Sequence, residues 1–228
     1  MSDRKSKSVQ SVNNRQIVII DDHPLFRDAM KGALASVLVN ATVREASSLD
    51  DGIKILDDDR DCDLVLLDLK MPGVQGLSGL AYLRAQFPSV PVAIVSGQEE
   101  PAVIRRALAL GASGFIPKST PAEDMRKAVS AILEGEVWAP LVARQLTDDE
   151  REVDDLSRRL ATLTPQQVRV LMMLRAGLLN KQIAYELDVS EATVKAHVSA
   201  ILLKLNVDSR TQAVIAASRI DGESTSDH

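Results

Sequence analysis

The sequence predicts an α/β doubly wound, five-stranded parallel sheet followed by an all-α domain. Three observations predict it. Residues 17–133 alternate short apolar runs with stretches of helical period. Residues 160–217 keep the helical period and lose any strand-like alternation. Between them, DDEREVDDLSRRL at 148–160 is dense in charge of both signs and reads as an exposed linker helix. A chain of 228 residues suits two small domains, and a hydrophobic fraction of 45% is enough to bury their cores.

The strand candidates, in order, are Ile17–Ile20, Ala41–Glu45, Leu64–Leu67, Val92–Val95 and Gly114–Ile116. Each is followed by a helical stretch. In the first of these, Phe26, Ala29, Met30, Ala33, Leu34, Val37 and Leu38 recur at i, i+3/i+4 spacing. Pro24, Pro101 and Pro121 sit where helices would begin, and proline is tolerated in a first turn. Strands that alternate with helices predict a parallel sheet covered on both faces, with right-handed crossovers. Beyond the linker, four helices fit, at about 165–176, 180–187, 191–205 and 209–219. The expected organisation is a disordered tail at 1–15, an α/β domain at 16–137, a linker helix at 138–160, a helical domain at 161–219 and a disordered tail at 220–228.

Composition excludes several classes. No apolar run approaches the roughly 20 residues of a membrane span. The polar, basic start MSDRKSKSVQSVNNRQ lacks the apolar stretch of a signal peptide, so the expected location is cytoplasmic, with no membrane partner. One cysteine, Cys62, builds neither a disulfide within the chain nor a thiolate metal site. The net charge of −5 is uneven: residues 16–140 carry net −6, whereas 162–217 carry net +2. The acidic whole argues against indiscriminate nucleic-acid binding, and the basic helical part leaves local binding open.

In a doubly wound sheet, ligands bind at the carboxyl ends of the strands. The first strand ends in Asp21-Asp22, the third in Asp68, the fourth in Ser96, and the fifth runs through Pro117 into Lys118. Polar groups at the mouth of an apolar core are costly unless paired or ligand-bound. Three neighbouring carboxylates repel one another and call for raised pKa values or a divalent cation. An all-oxygen site suits Mg²⁺, held by Asp22, Asp68 and a backbone carbonyl such as that of Lys70. Asp68, the most central acid, is the candidate nucleophile. Lys118 offers a point charge, and Ser96 a hydroxyl, to a phosphoryl group carried on Asp68.

Two apparent motifs fail. Gly111–Ser119 faintly suggests a phosphate loop, but Pro117 precedes the lysine where glycine is needed. Gly73, Gly76 and Gly79 are wrongly spaced for a dinucleotide site. His23, His197 and His228 show no ligand spacing.

The segments VIIDDHPLFRDAM, DLVLLDLKMPGVQG, AIVSG and GASGFIPKS, in this order, resemble response-regulator receiver domains over about 17–135. The resemblance implies the flavodoxin-like receiver fold and a phosphoryl group accepted from a histidine kinase on Asp68. It assigns Mg²⁺ binding to Asp21 and Asp22, sensing of the phosphoryl group to Ser96 and Lys118, and repacking between two states to Phe115.

The stretch LNKQIAYELDVSEATVKAHVSAILLKL reads as helix, short turn, helix. Ser190 is a suitable N-cap for the second helix. Val194, Val198, Ile201, Leu202 and Leu205 form its inner stripe, and Ala192, Lys195, Ala196 and Ser199 face outward. That is how a recognition helix enters a DNA major groove. Leu163-Thr164, Gly177-Leu178, Asn180-Lys181, Ile183-Ala184, Leu187, Ser190, Thr193-Val194-Lys195, His197, Lys204-Leu205, Val207, Arg210-Thr211 and Ala213 resemble the LuxR-type helix-turn-helix. The resemblance places Lys181 and Thr193 near phosphates and lets the last helix pair two protomers through Val214 and Ala217. The sequence departs from it at Gln166-Gln167, where an Arg-Glu pair is usual, and at Ser199, where some members are basic.

The expected protein is a LuxR/NarL-type response regulator and not an enzyme. Its expected partners are a histidine kinase, double-stranded DNA and a second copy of the chain. One alternative is a Mg²⁺-dependent phosphohydrolase with an aspartyl-phosphate intermediate. The haloacid-dehalogenase type, however, needs an aspartate two residues after its nucleophile, and Asp21 is followed there by His23. A signalling scaffold that binds no DNA is a third reading.

Overall fold

A computed structural model of the chain describes residues 15–35, 41–59, 61–72, 74, 76–140 and 155–221. The expected disordered tails lie outside these, apart from Arg15 and residues 220–221, as do Val37 and Leu38.

Five parallel strands form one sheet in the order β2-β1-β3-β4-β5. They are β1 (Arg15–Ile20), β2 (Ala41–Ala46), β3 (Leu64–Leu67), β4 (Val92–Ser96) and β5 (Gly114–Pro117). The helices between and after them are α1 (Pro24–Leu34), α2 (Leu49–Asp58), α3 (Ser78–Gln86), α4 (Pro101–Ala109) and α5 (Ala122–Leu133). Pro24 and Pro101 open their helices as expected, whereas Pro121 is the N-cap of α5.

Side chains alternate across the sheet with period two. Ile17, Ile19, Leu64 and Leu66 face α1 and α5, packing on Met30, Leu34, Val129 and Ile132. Val18, Ile20, Val65, Leu67 and Phe115 face α2, α3 and α4. The chain direction across the sheet reverses at β1, because β1 pairs with both β2 and β3. The crevice at such a switch point is where ligands bind.

The segment after α5 corrects the expected linker helix at 138–160. Residues 138–140 are not helical, and Trp138 instead forms a parallel bridge with Gly114 at the sheet edge. The amide of Phe115 donates to the Trp138 carbonyl at 2.8 Å. This close approach requires Gly114, since a Cβ there would lie 2.6 Å from Ile132 Cδ1 and 3.0 Å from that carbonyl. Residues 155–160 are helical, and 141–154 lie outside the described residues.

The helical part contains α6 (Pro165–Arg175), α7 (Asn180–Glu186), α8 (Glu191–Leu205) and α9 (Arg210–Asp221). Thr164 and Gln167 form a capping box on α6. Helix α6 packs against α3, and α9 against α4. The apolar core below α2–α4 therefore runs on without a break into Leu160, Leu163, Leu171, Ile183, Val194 and Leu205. A cavity of about 30 Å³ remains in the seam, lined by Leu77, Ala81 and Leu110 on one side and Leu163, Met172 and Ala217 on the other.

Candidate functional site: an acidic pocket and an exposed recognition helix

Strand pairing delivers the acids. The Asp68 amide donates to the Ile20 carbonyl at 2.9 Å, and the Asp21 amide to the Ala46 carbonyl at 3.1 Å. The ends of β1 and β3 are thereby locked side by side. Asp21 is 0% exposed and Asp68 2%. Asp21, Asp22, His23 and Asp68 each place one donor atom within 4.8 Å of all the others.

Lys118 closes the pocket. Its own amide donates to the Ser96 carbonyl at 2.8 Å, which fixes the loop after β5. Its Nζ donates to Asp68 Oδ2 at 2.7 Å and lies 2.7 Å from Asp21 Oδ2. Burial pushes the Lys118 pKa down, but the Asp21 and Asp68 carboxylates outweigh it, and the net shift is upward. The ammonium is thus held charged. It also sits 4.4 Å from the centre of the Phe26 ring. The Lys70 amide donates to Asp68 Oδ1 at 3.2 Å, and Ser96 Oγ accepts from the Gln98 amide at 3.2 Å. An open depression of about 510 Å³ leads to Asp68 between Leu25, Phe26, Lys70 and Lys118.

The donor set fits a hard divalent cation. Asp21 Oδ2 and Asp22 Oδ1 are buried without a hydrogen-bond partner. Their nearest neighbours, each at 2.7 Å, are Lys118 Nζ and His23 Nδ1. Carboxylate oxygens gathered beside Asp68 are what an oxygen-ligated Mg²⁺ would use.

Every expected pocket residue except Phe115 and Ser96 makes a direct contact at or around Asp68. Phe115 is fully buried under α4, and the fully buried Ser96 reaches the pocket through its carbonyl and the Gln98 turn. The sequence reading missed three residues. His23 stands among the acids, contrary to the expectation that no histidine has ligand spacing. Arg27 ties the start of α1 to the Asp21 carbonyl at 2.6 Å and to Glu45 at 2.9 Å. Phe26 covers Lys118. Adjacency to Asp22 was a signal for His23; the other two depend on helix α1 folding back over the strand ends.

In the helical part, Ser190 caps α8 by accepting from the Thr193 amide at 3.1 Å. Val194, Ile201 and Leu205 are buried, with Val198 and Leu202 half-buried. Ala192, Thr193, Lys195, Ala196 and Ser199 are exposed, as is Lys181 on α7. Lys195 pairs with Glu191 at 3.3 Å, an exposed contact. Asn206 ends α8 in the left-handed conformation, φ 56°. The departure at Gln167 is absorbed locally: its Oε1 accepts from Lys204 Nζ at 2.9 Å, a hydrogen bond where an ion pair was in question. Ala217, expected at a contact between protomers, lines the seam against α3 within the single chain.

Comparison with known proteins decides what the two parts are. The family described as response regulator receiver domain matches residues 17–130, and that described as bacterial regulatory proteins, luxR family, matches residues 161–217.

The chain is a LuxR-family response regulator.

The regulator is 43% identical over 212 residues to the glycerol metabolism activator of Pseudomonas putida, covering 90% of this chain and 96% of that protein. It is 36% identical over 206 residues to the nitrate/nitrite response regulator protein NarL of Escherichia coli K12, covering 87% and 93%. Among solved structures, RcsB of Salmonella enterica serovar Typhimurium, bound to a promoter in the presence of phosphomimetic BeF₃⁻, shares the fold. Its TM-score is 0.54 and its identity 24%, with 91% of this chain and all of that chain covered. The regulator is therefore a phosphorylation-controlled, DNA-binding regulator of transcription and not a phosphohydrolase. Among the described residues, no helix is long and apolar enough to cross a membrane.

Proposed function

We propose that the regulator accepts a phosphoryl group from a histidine kinase on Asp68, with Mg²⁺ held by Asp21, Asp22, Asp68 and the Lys70 carbonyl. The observation that carries this reading is Asp68, buried between two acids and a charged lysine at the mouth of an open depression. Asp68 attacks phosphorus, the phosphorus–nitrogen bond of the donor histidine breaks, and the imidazole keeps the electron pair and takes up a proton. Mg²⁺ would supply charge neutralisation to the transferring oxygens. Lys118, already beside the Asp68 carboxylate, meets a phosphoryl oxygen there, and a cation so positioned costs little reorganisation. The Ser96 hydroxyl turns toward another, and Phe115, two residues before Ser96's β5 partner Pro117, follows.

The receiver spans 16–137 and the DNA-binding domain 161–219 in this reading. Helix α8 enters the major groove with Lys195, Ala196 and Ser199 toward the bases. Lys181 and Thr193 lie near phosphates. Two copies pair on inverted half-sites in the cytoplasm.

The test treats wild type and Asp68→Asn with acetyl phosphate and Mg²⁺. Wild type gains one phosphoryl mass, EDTA abolishes the gain, and DNA affinity rises with labelling. Asp68→Asn stays unlabelled; full labelling of that variant overturns the assignment.

A further inference from the structure

Lys118 faces a conflict that its two ion pairs conceal. Its ammonium is shared between Asp21 Oδ2 and Asp68 Oδ2, each at 2.7 Å. A divalent cation bound by those acids would take over the Asp21 oxygen and repel the ammonium from that side. The side chain is only 20% exposed, so it does not regain full hydration. Besides Asp68 Oδ2, one attractive surface remains. The Phe26 ring lies 4.4 Å from Nζ, and a ring face attracts a desolvated cation through its quadrupole.

Both ends of this contact are fixed. Phe26 packs half-buried against the α1/α5 core. The adjacent Arg27 pins the start of α1 to the Asp21 carbonyl at 2.6 Å. The Lys118 backbone is tied to Ser96 at 2.8 Å. The chemistry of the contact also matters. A carboxylate in the ring's place would hold the ammonium too, but would compete with the phosphoryl group for it. A leucine would exclude water and offer nothing in return.

We propose that Phe26 is a positioning residue for Lys118: its ring face keeps the ammonium over Asp68, available to the phosphoryl oxygens, when the acids are engaged elsewhere. This rests on Asp68 being the phosphoacceptor. It adds a contact from helix α1 to the control of phosphorylation.

The experiment uses the full chain as wild type, Phe26→Leu, Phe26→Trp, and with pentafluorophenylalanine introduced at position 26. The fluorinated ring keeps the shape of phenylalanine and reverses its quadrupole. Two readouts are taken. The first is the ring-current shift of the Lys118 ε-methylene in metal-free protein, assigned by its loss in Lys118→Met. The second is the rate of mass gain with acetyl phosphate and Mg²⁺. The acetyl phosphate P–O bond breaks and acetate leaves. With leucine the shift vanishes and labelling slows by roughly threefold to tenfold. With tryptophan both are kept. With the fluorinated ring the fold is kept and labelling slows. Wild-type rates with both leucine and the fluorinated ring overturn the proposal. So does equal slowing with tryptophan and leucine, which would mean packing alone. If Asp68→Asn is itself labelled, the phosphoacceptor assignment fails while the metal-free shift still reports the ring contact.

Discussion

Burial decides what Cys62 can do. It is 8% exposed, and its Sγ donates to the Leu64 carbonyl at 3.3 Å. Burial pushes the thiol up to about 11 from 9.0, with backbone hydrogen bonds opposing weakly. The folded state thus keeps a proton that the unfolded chain releases first. Stability from this group is fully present below pH 9 and is lost as pH rises toward about 11. Denaturant unfolding at pH 8 and pH 10.5 checks it: wild type loses more stability between the two than Cys62→Ala. A thiol reagent at pH 8 should react slowly with native protein and fully in urea. The same reasoning separates Cys62 from the pocket acids. A lone thiol held neutral is inert, whereas carboxylates clustered within 4.8 Å are poised for a cation.

At the scale of the element, α8 carries the DNA prediction. Lys195 and Ser199 are four apart and share an exposed face. Lys195→Ala costs about 1–3 kcal/mol of operator affinity where it reads a guanine. A lysine that meets only phosphate would instead lower affinity for every sequence and reduce the salt slope by about one. Ser199→Ala costs less, since its contact is neutral. Affinities for operator and scrambled duplex at several salt concentrations separate these outcomes. A Lys195→Ala protein that binds both as wild type does would remove α8 from the groove. Helix α8 was legible because its inner stripe, its cap at Ser190 and its length are all local patterns. The strands and their terminal acids were legible for the same reason, and β4 and β5 differ from expectation by a single terminal residue each. What stayed hidden depends on distant partners. Trp138 joins the sheet edge without any periodicity in its own neighbourhood. Phe26 looks like an ordinary core residue of α1 until α1 is placed over the loop after β5.

At the scale of the whole molecule, the seam between the domains sets a regulatory question. Helix α9 packs on α4 and α6 on α3, while the outer face of α8 stays exposed. In this arrangement the face of α8 proposed to read DNA is open, and Ala217 of the last helix is occupied by the receiver. Because one apolar core runs through both domains, they should unfold together. Ala81→Arg places a charge in the seam that can reach water only if the domains separate. Wild type should give one calorimetric transition, and Ala81→Arg two, the lower being shifted down by several degrees. A single transition in both proteins would show that the seam contributes nothing to cooperativity.

The chain has one tryptophan, and its position gives the regulator an internal lamp. Trp138 lies against the α1/α5 core, with its carbonyl bonded to the amide of Phe115 and its amide to the Ser113 carbonyl. Its backbone is therefore coupled to the strand that carries Phe115 on one side of the sheet and leads to Lys118 at its end. The helix-turn-helix contributes no competing indole emission. Ultraviolet excitation at the red edge thus illuminates only the sheet edge beside β5, and a rearrangement there should change the colour and lifetime of its light.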